Sequence, residues 1–475
     1  MIKPIKLILV GLAIFSAAAY ADTNLPVSVA DALKKIDLPE HAVSIYVQAL
    51  TEKPSALKAP LLQHQATKAL NPASTMKLVT SYAALALLGP SYRWKTDVYI
   101  DGILRDGVLN GNLYIKGYGD PNMMADDFNR LLRTLYNGGV HEINGDLVID
   151  NTYFASVSPP AGSFDDEPLR AYNATPNAFM VNAKNTSFKF DADASTVNIS
   201  IEPLMPEIKI VNQLKVKAGD CSSWRSNFTY DVTPQNTGAT VTFRGYYPTN
   251  CGQKYLELLV MDENFYHLSL FKSLWKSLGG TFNGNLRLQA VPMNAQKAMQ
   301  YESEPLAQIL PNMNKWSINL MARQLLLTIA AEKLGAPATE TNAALVVRDW
   351  LNSLGLNFNE LTIENGSGLS RIERISAAHL GAMLVNAYYS PVMPELIASL
   401  PISAVDGTMQ KRLKESQLIG RAHLKTGSLS GVYTLAGYVL AQSGERYVVV
   451  LMVNDAKAAL TKPVQDALLE WVFVQ

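Results

Sequence analysis

The spacing of hydrophobic and polar positions changes twice along this chain, and the changes divide it. Near the N-terminus Val43, Ile45, Val47 and Leu50 predict a strand over 42–50, and a second strand is expected over about 61–66. Leu78, Val79, Tyr82, Ala83 and Leu85 then keep helical spacing, and Gly89-Pro90 stops that helix. From about Tyr92 the texture becomes apolar alternation broken by Asn-Gly and Asp-Gly pairs, which signals hairpins. One unit recurs, as Asn110-Gly111-Asn112-Leu113, Asn144-Gly145-Asp146-Leu147 and Asn283-Gly284-Asn285-Leu286. Its unequal spacing argues against a solenoid and for similar hairpin turns, each leading into a strand. Further strands are predicted over 197–210 and 239–246, with short helices over 127–136 and 268–278, each ending in a Gly pair. Helical spacing returns from about Glu304 and predicts helices over 316–334, 341–354 and 376–389. Strands follow over 422–428, 432–441 and 446–453, and a last helix over 461–474 carries Pro463 in its first turn. The two ends are therefore mixed α/β and the middle mainly β, as for one α/β domain split by a large insertion.

The leader changes that picture by giving the chain an address. Met1-Ile2-Lys3-Pro4-Ile5-Lys6 is basic, an apolar run reaches Ala19, and Ala19-Tyr20-Ala21 is a small-x-small cleavage signal. The run is short for a membrane span, so residues 1–21 are expected to be a cleaved signal peptide and the mature chain exported. The remainder is long for one core and predicts two or three domains. Lys plus Arg equals Asp plus Glu, 41 each, which leaves no basic face for nucleic acid and no polybasic tail for a membrane. In an oxidising compartment Cys221 and Cys251 are expected to pair; two separate thiols are the alternative.

Three stretches carry candidate chemistry. Asn71-Pro72-Ala73-Ser74-Thr75-Met76-Lys77 places a serine three residues before a lysine at the start of an apolar helix. Positions i and i+3 share a helix face, about 5–6 Å apart at Cβ, so hydroxyl and amine are within reach of each other. Serine needs an adjacent base to become a nucleophile, and lysine serves only if desolvation or nearby positive charge keeps it neutral. Ser-x-x-Lys also occurs at Ser55…Lys58, in a polar stretch, and at Ser273…Lys276, on an amphipathic helix surface, so the pattern alone is weak. In Lys315-Trp316-Ser317-Ile318-Asn319 a hydroxyl and an amide stand two apart at a helix start, where both are also good N-cap residues. His423-Leu424-Lys425-Thr426-Gly427-Ser428 sets a cation, hydroxyls and a glycine in a row on a strand, and Gly427 lets another backbone approach. Such a lysine on an edge strand is otherwise a guard against aggregation.

Ser-x-x-Lys, Ser-x-Asn and Lys-Thr-Gly in this order are the signature of penicillin-recognising serine enzymes. The chain resembles the D-alanyl-D-alanine carboxypeptidase/endopeptidases, the low-molecular-mass class C penicillin-binding proteins of peptidase family S13. The wide gap between Ser74 and Ser317, 116–121, 170–174, 366–370, Leu400-Pro401, Asp406-Gly407-Thr408 and 425–439 carry the likeness. The resemblance implies an α/β penicillin-binding (β-lactamase/transpeptidase-like) domain from 22–91 and 296–475, with 92–295 an inserted β-rich region of two subdomains. It implies that Ser74 is the nucleophile, Lys77 its base and Ser317 a proton relay. Asn319 would hold the substrate amide or Lys77, and Lys425, Thr426, Gly427 and Ser428 would bind substrate, with backbone N–H groups of Ser74 and Ser428 as oxyanion hole. Three positions depart from the family: Ile318 and Asn365 stand where Asp is usual, and Ser428 replaces the commoner Thr. Of these, Asn365 puts any charge-dependent role at its position in doubt.

The expected activity is removal of terminal D-Ala from peptidoglycan stem peptides, cleavage of D-Ala cross-links, or both, in the periplasm, with β-lactams as inhibitors. No metal or organic cofactor and no nucleic acid are implied, while a peripheral membrane or homo-oligomer contact stays open. A serine β-lactamase carries the same motifs and differs in fast deacylation. A non-catalytic peptidoglycan-binding protein is the alternative of another class. The six histidines show no zinc spacing, and Gly-x-Ser-x-Gly is absent, which disfavours a metallohydrolase and an α/β-hydrolase.

Overall fold

Strand Val43–Leu50 pairs with Leu62–His64 on one side and with Arg446–Asn454 on the other, so the two ends of the chain share one sheet. Val432–Leu440 and then Ala422–Leu429 complete five antiparallel strands, with the Lys-Thr-Gly strand at the edge. The computed structural model describes residues 23–156 and 162–475; the expected leader, 1–21, lies outside them. The described chain forms two compact units. One takes the chain up to Pro90, Leu310–Ser317 and Thr341–Gln475; the other takes Ser91–Ile309 and Ile318–Glu340.

In the first unit the run Val448-Val449-Val450-Leu451-Met452-Val453 is buried on both faces, which explains why it reads as continuous apolar sequence rather than as alternation. Odd-numbered residues such as Ile45, Val449 and Leu451 pack with the helices Val27–Lys35 and Lys462–Phe473. The opposite face meets the helix Ala377–Tyr388, where a side chain at Gly381 would lie 2.2 Å from the Tyr46 ring. The helix Met76–Leu88 is buried at every residue from Met76 to Leu85 and therefore lacks a polar face.

The helix expected over 316–334 starts three residues later, at Asn319, and a separate helix, Leu306–Trp316, precedes it. One helix ends at Trp316, Ser317 adopts φ +60°, and a second helix, Asn319–Leu334, starts after Ile318. Its N-cap is Ile318, without a side-chain cap, so Ser317 does no capping.

In the second unit the recurring Asn-Gly units stack as rungs. Leu113–Gly117, Leu147–Asp150 and Leu286–Leu288 run parallel, with Leu147 opposite both Leu113 and Leu286. This corrects the expectation of separate hairpin turns. The turn chemistry gives the reason. Asp146 N donates to Asn112 Oδ1 at 2.9 Å, and Asn285 N donates to Asp146 Oδ1 at 3.0 Å, so each rung's Asn or Asp accepts from the next rung. A side chain on Gly145 would lie 2.2 Å from Gly111 O, and one on Gly284 would lie 2.1 Å from Gly145 O, so the stack needs glycine. Asp106-Gly107, both at positive φ, does form the predicted hairpin, between Ile103–Arg105 and Val108–Asn110. The predicted strand over 197–210 is two, Val197–Glu202 and Ile208–Lys217, in different three-stranded sheets.

Cys221 and Cys251 are joined, with Cα atoms 5.2 Å apart and 30 positions between them in sequence. Closing a loop of that length removes freedom from the unfolded chain worth about 3–4 kcal/mol. The double variant Cys221→Ser/Cys251→Ser should unfold at correspondingly lower denaturant under oxidising conditions. An unchanged midpoint would show that the bond restrains little.

Candidate active site

Ser74 sits in the 3-10 turn Ala73–Thr75, immediately before the N-terminus of the helix Met76–Leu88, where free N–H groups favour negative charge. The turn is strained, because Ala73 has φ +44°, a region that costs an L-residue about 1–2 kcal/mol. The surroundings hold it there. Asn71 Oδ1 accepts from Ala73 N at 2.8 Å, and Asn71 Nδ2 donates to Ser370 O at 2.7 Å. Asn454 brackets the Asn71 backbone, accepting from its N at 2.8 Å and donating to its O at 3.1 Å. Thr75 and Thr434 hydroxyls both donate to Pro72 O, at 2.6 and 2.7 Å. Two glycines complete the cradle. A side chain on Gly368 would meet Ala73 O at 1.9 Å, and one on Gly427 would meet Ser74 N at 2.8 Å.

Lys77 is fully buried, and its Nζ lies 3.1 Å from Ser74 Oγ. It also donates to Ser367 O at 2.5 Å. Burial holds this amine well below the usual lysine range, the nearby Lys425 charge adds to the depression, and Glu373 opposes it. Lys425, on the edge strand, is also fully buried; its Nζ donates to Ser317 Oγ at 2.9 Å and to Thr426 O at 2.7 Å. Burial pulls it down to about 7. Thr426 Oγ1 is 2.9 Å from Thr408 Oγ1, and Ser428 is exposed.

Ser317 is delivered by its neighbours. Asn314 donates to the Ser81 and Ser399 hydroxyls at 3.0 and 2.8 Å, and Lys315 pairs with Asp406 at 2.5 Å. Gly407, at φ +54°, lets the loop press on Lys315 O, 2.6 Å from where a side chain would begin.

The first unit thus brings together Ser74, Lys77, Ser317, Lys425, Thr426 and Gly427. Asn319 belongs to the second unit, where its Nδ2 lies 3.3 Å from Tyr172 O. The other Ser-x-x-Lys pairs are at the surface: Ser55 and Lys58 are exposed, and Ser273 Oγ bonds Leu204 O. Asn365 accepts from Ser367 N and Oγ at 2.9 and 2.7 Å and so shapes the loop without a charge. Sequence reasoning passed over Asn71, Thr434 and Glu373. Asn71 was readable as a turn residue before Pro72; Glu373, between Ile372 and Arg374, gave no signal. Among the described residues no His/Cys/Asp/Glu group is arranged to hold a metal ion, and no helix is long and apolar enough to cross a membrane.

A family model for the D-Ala-D-Ala carboxypeptidase 3 (S13) family matches residues 25–473. The D-alanyl-D-alanine carboxypeptidase DacB of Haemophilus influenzae is 29% identical over 396 residues, covering 80% of this chain and 80% of its own. The D-alanyl-D-alanine carboxypeptidase of Actinomadura sp. (strain R39) is 30% identical over 417 residues, covering 84% of this chain and 76% of its own. The crystal structure of penicillin binding protein 4 (dacB) from Haemophilus influenzae has a TM-score of 0.77 at 25% identity, over 95% of this chain and 100% of that one. The same protein complexed with a β-lactam has a TM-score of 0.73.

Proposed function

The chain belongs to the D-Ala-D-Ala carboxypeptidase 3 (S13) family, serine peptidases of peptidoglycan, and from that premise we propose how its own residues carry the reaction. Ser74 Oγ attacks the carbonyl carbon of the penultimate D-Ala of a stem peptide, and its proton passes to neutral Lys77. The backbone N–H groups of Ser74 and Ser428 take the negative charge that forms on the carbonyl oxygen. The C–N bond breaks, and Ser317 relays a proton to the leaving amine. Water then attacks the acyl ester and frees Ser74. Lys425, with Thr426 and Ser428, binds the carboxylate beyond the scissile bond, and a charge-assisted bond suits that task. A terminal D-Ala as leaving group gives carboxypeptidase action, and a cross-linking D-amino acid gives endopeptidase action. A β-lactam enters the same path through its ring carbonyl and its carboxylate, and the ester persists.

One observation carries this reading: a desolvated lysine amine 3.1 Å from a serine hydroxyl in a strained turn at a helix N-terminus. We place the mature enzyme outside the cytoplasm, in the periplasm, after loss of 1–21; the basic-apolar leader and the paired Cys221 and Cys251 support this.

The test is a time course of intact mass with benzylpenicillin, beside release of D-Ala from a pentapeptide. The expected result is a lasting adduct together with D-Ala release. A short-lived adduct with rapid antibiotic loss would make the protein a β-lactamase. Neither adduct nor release would leave a binding protein.

A further inference from the structure

Glu373 is fully buried, yet no step above uses it. Its Oε1 accepts three consecutive backbone N–H groups, from Glu364 at 3.2 Å, Asn365 at 3.0 Å and Gly366 at 2.9 Å. Successive N–H groups converging on one oxygen form an anion cradle. Its Oε2 is buried without a hydrogen-bond partner among the described residues. The gathered segment is the one that touches the nucleophile's turn. Gly366 O accepts from Thr80 Oγ1 at 2.6 Å, Ser367 O accepts from Lys77 Nζ at 2.5 Å, and Ser370 O accepts from Asn71 Nδ2 at 2.7 Å. Between them Gly368 lies against the Ala73–Ser74 peptide.

We propose that Glu373 is a positioning residue for acylation: by gathering the Glu364, Asn365 and Gly366 N–H groups it holds the Ser367 carbonyl on the Lys77 amine. This rests on the reading of Lys77 as the base. With the charge removed, the three N–H groups keep only the weaker acceptor of an amide oxygen, and the carbonyl that aims Lys77 at Ser74 loses part of its backing.

The charge has a second effect. Burial raises the Glu373 carboxyl, and the three N–H groups pull it back toward the ionised form. When ionised it favours the ammonium form of Lys77, against burial and against Lys425 on the edge strand. The other charged groups around it are Glu364, which raises it further, and Arg374, whose Nη1 donates to the Glu373 backbone carbonyl at 2.8 Å. Replacing the carboxylate by an amide therefore lets Lys77 lose its proton at lower pH.

The test is the rate of acylation by benzylpenicillin from about pH 5 to 10 in wild type, Glu373→Gln and Glu373→Asp. Glu373→Gln should be slower by roughly 10- to 100-fold, the scale of a misaimed catalytic group, with its acid limb moved to lower pH. Glu373→Asp should be slower with the limb in place. Overturning results are a Glu373→Gln enzyme within about twofold of wild type, or one that is slower with an unmoved limb, which marks a merely structural role. If Glu373→Gln does not fold, Glu373→Asp decides, because a shortened carboxylate at full rate also overturns the proposal. A wild type that does not acylate would instead overturn the reading of Ser74 and Lys77.

Discussion

Ser74→Ala will keep the fold and lose the reaction. The turn around Ser74 is held by Asn71, Thr75, Thr434, Gly368 and Gly427, and none of those contacts uses the Ser74 hydroxyl. That hydroxyl accepts from Lys77, which retains Ser367 O when the hydroxyl is gone. Thermal unfolding should therefore stay within about 1 kcal/mol of wild type. Turnover of a D-Ala-D-Ala peptide should fall by roughly a millionfold, the scale seen when a serine hydrolase loses its nucleophile. Intact mass should show no penicilloyl adduct. An adduct on the variant at the wild-type rate would mean that another residue is acylated.

Lys77→Met will separate base chemistry from binding. Methionine fills a similar space in the apolar helix and removes the amine, so acylation should slow by about 10²- to 10⁴-fold, while capture of the carboxylate by Lys425 is kept. The wild-type pH profile follows from the two lysines. In the proposed mechanism Lys77 works when neutral, and burial lowers its pKa, so acylation should rise as pH climbs through that lowered value. In the same mechanism Lys425 works when charged, and burial draws it down to about 7, so capture of a carboxylate should weaken as pH rises above that value. The product is a bell, and Lys77→Met should lose its acid limb and keep its alkaline one. A variant that retains the acid limb would show that the limb belongs to another group.

Most of the first unit was legible in the sequence because its elements are locally consistent. The Met76–Leu88 helix is an apolar run with a Gly-Pro stop, and the strands Val432–Leu440 and Arg446–Asn454 run largely apolar because both of their faces are covered. Features imposed by distant residues were not legible. The start of the long helix near Ser317 was legible, but the turn that sets the Ser317 hydroxyl was not; it is fixed by Lys315 against Asp406 and Gly407 and by Lys425 on the Ser317 hydroxyl. The Asn-Gly repeats were visible, but their parallel stacking was not, because the Asn112–Asp146–Asn285 ladder joins residues widely separated in sequence. Glu373 lies between Ile372 and Arg374 and reads as surface, although it is buried. At the candidate site the motifs gave the candidate groups and missed the residues packed around them.

The turn that presents Ser74 is assembled from both ends of the chain, with Asn71 bonded to Ser370 and Asn454, and Pro72 to Thr434. A polypeptide that emerges N-terminus first therefore has its serine early and its working nucleophile last. Until the final strands have been made and threaded into the sheet, the turn lacks its Thr434, Asn454 and Gly427 contacts, and its strained conformation is only partly held. An enzyme that cuts the wall's own building blocks is in this way held back while it is being made. Completion of the fold is what arms it.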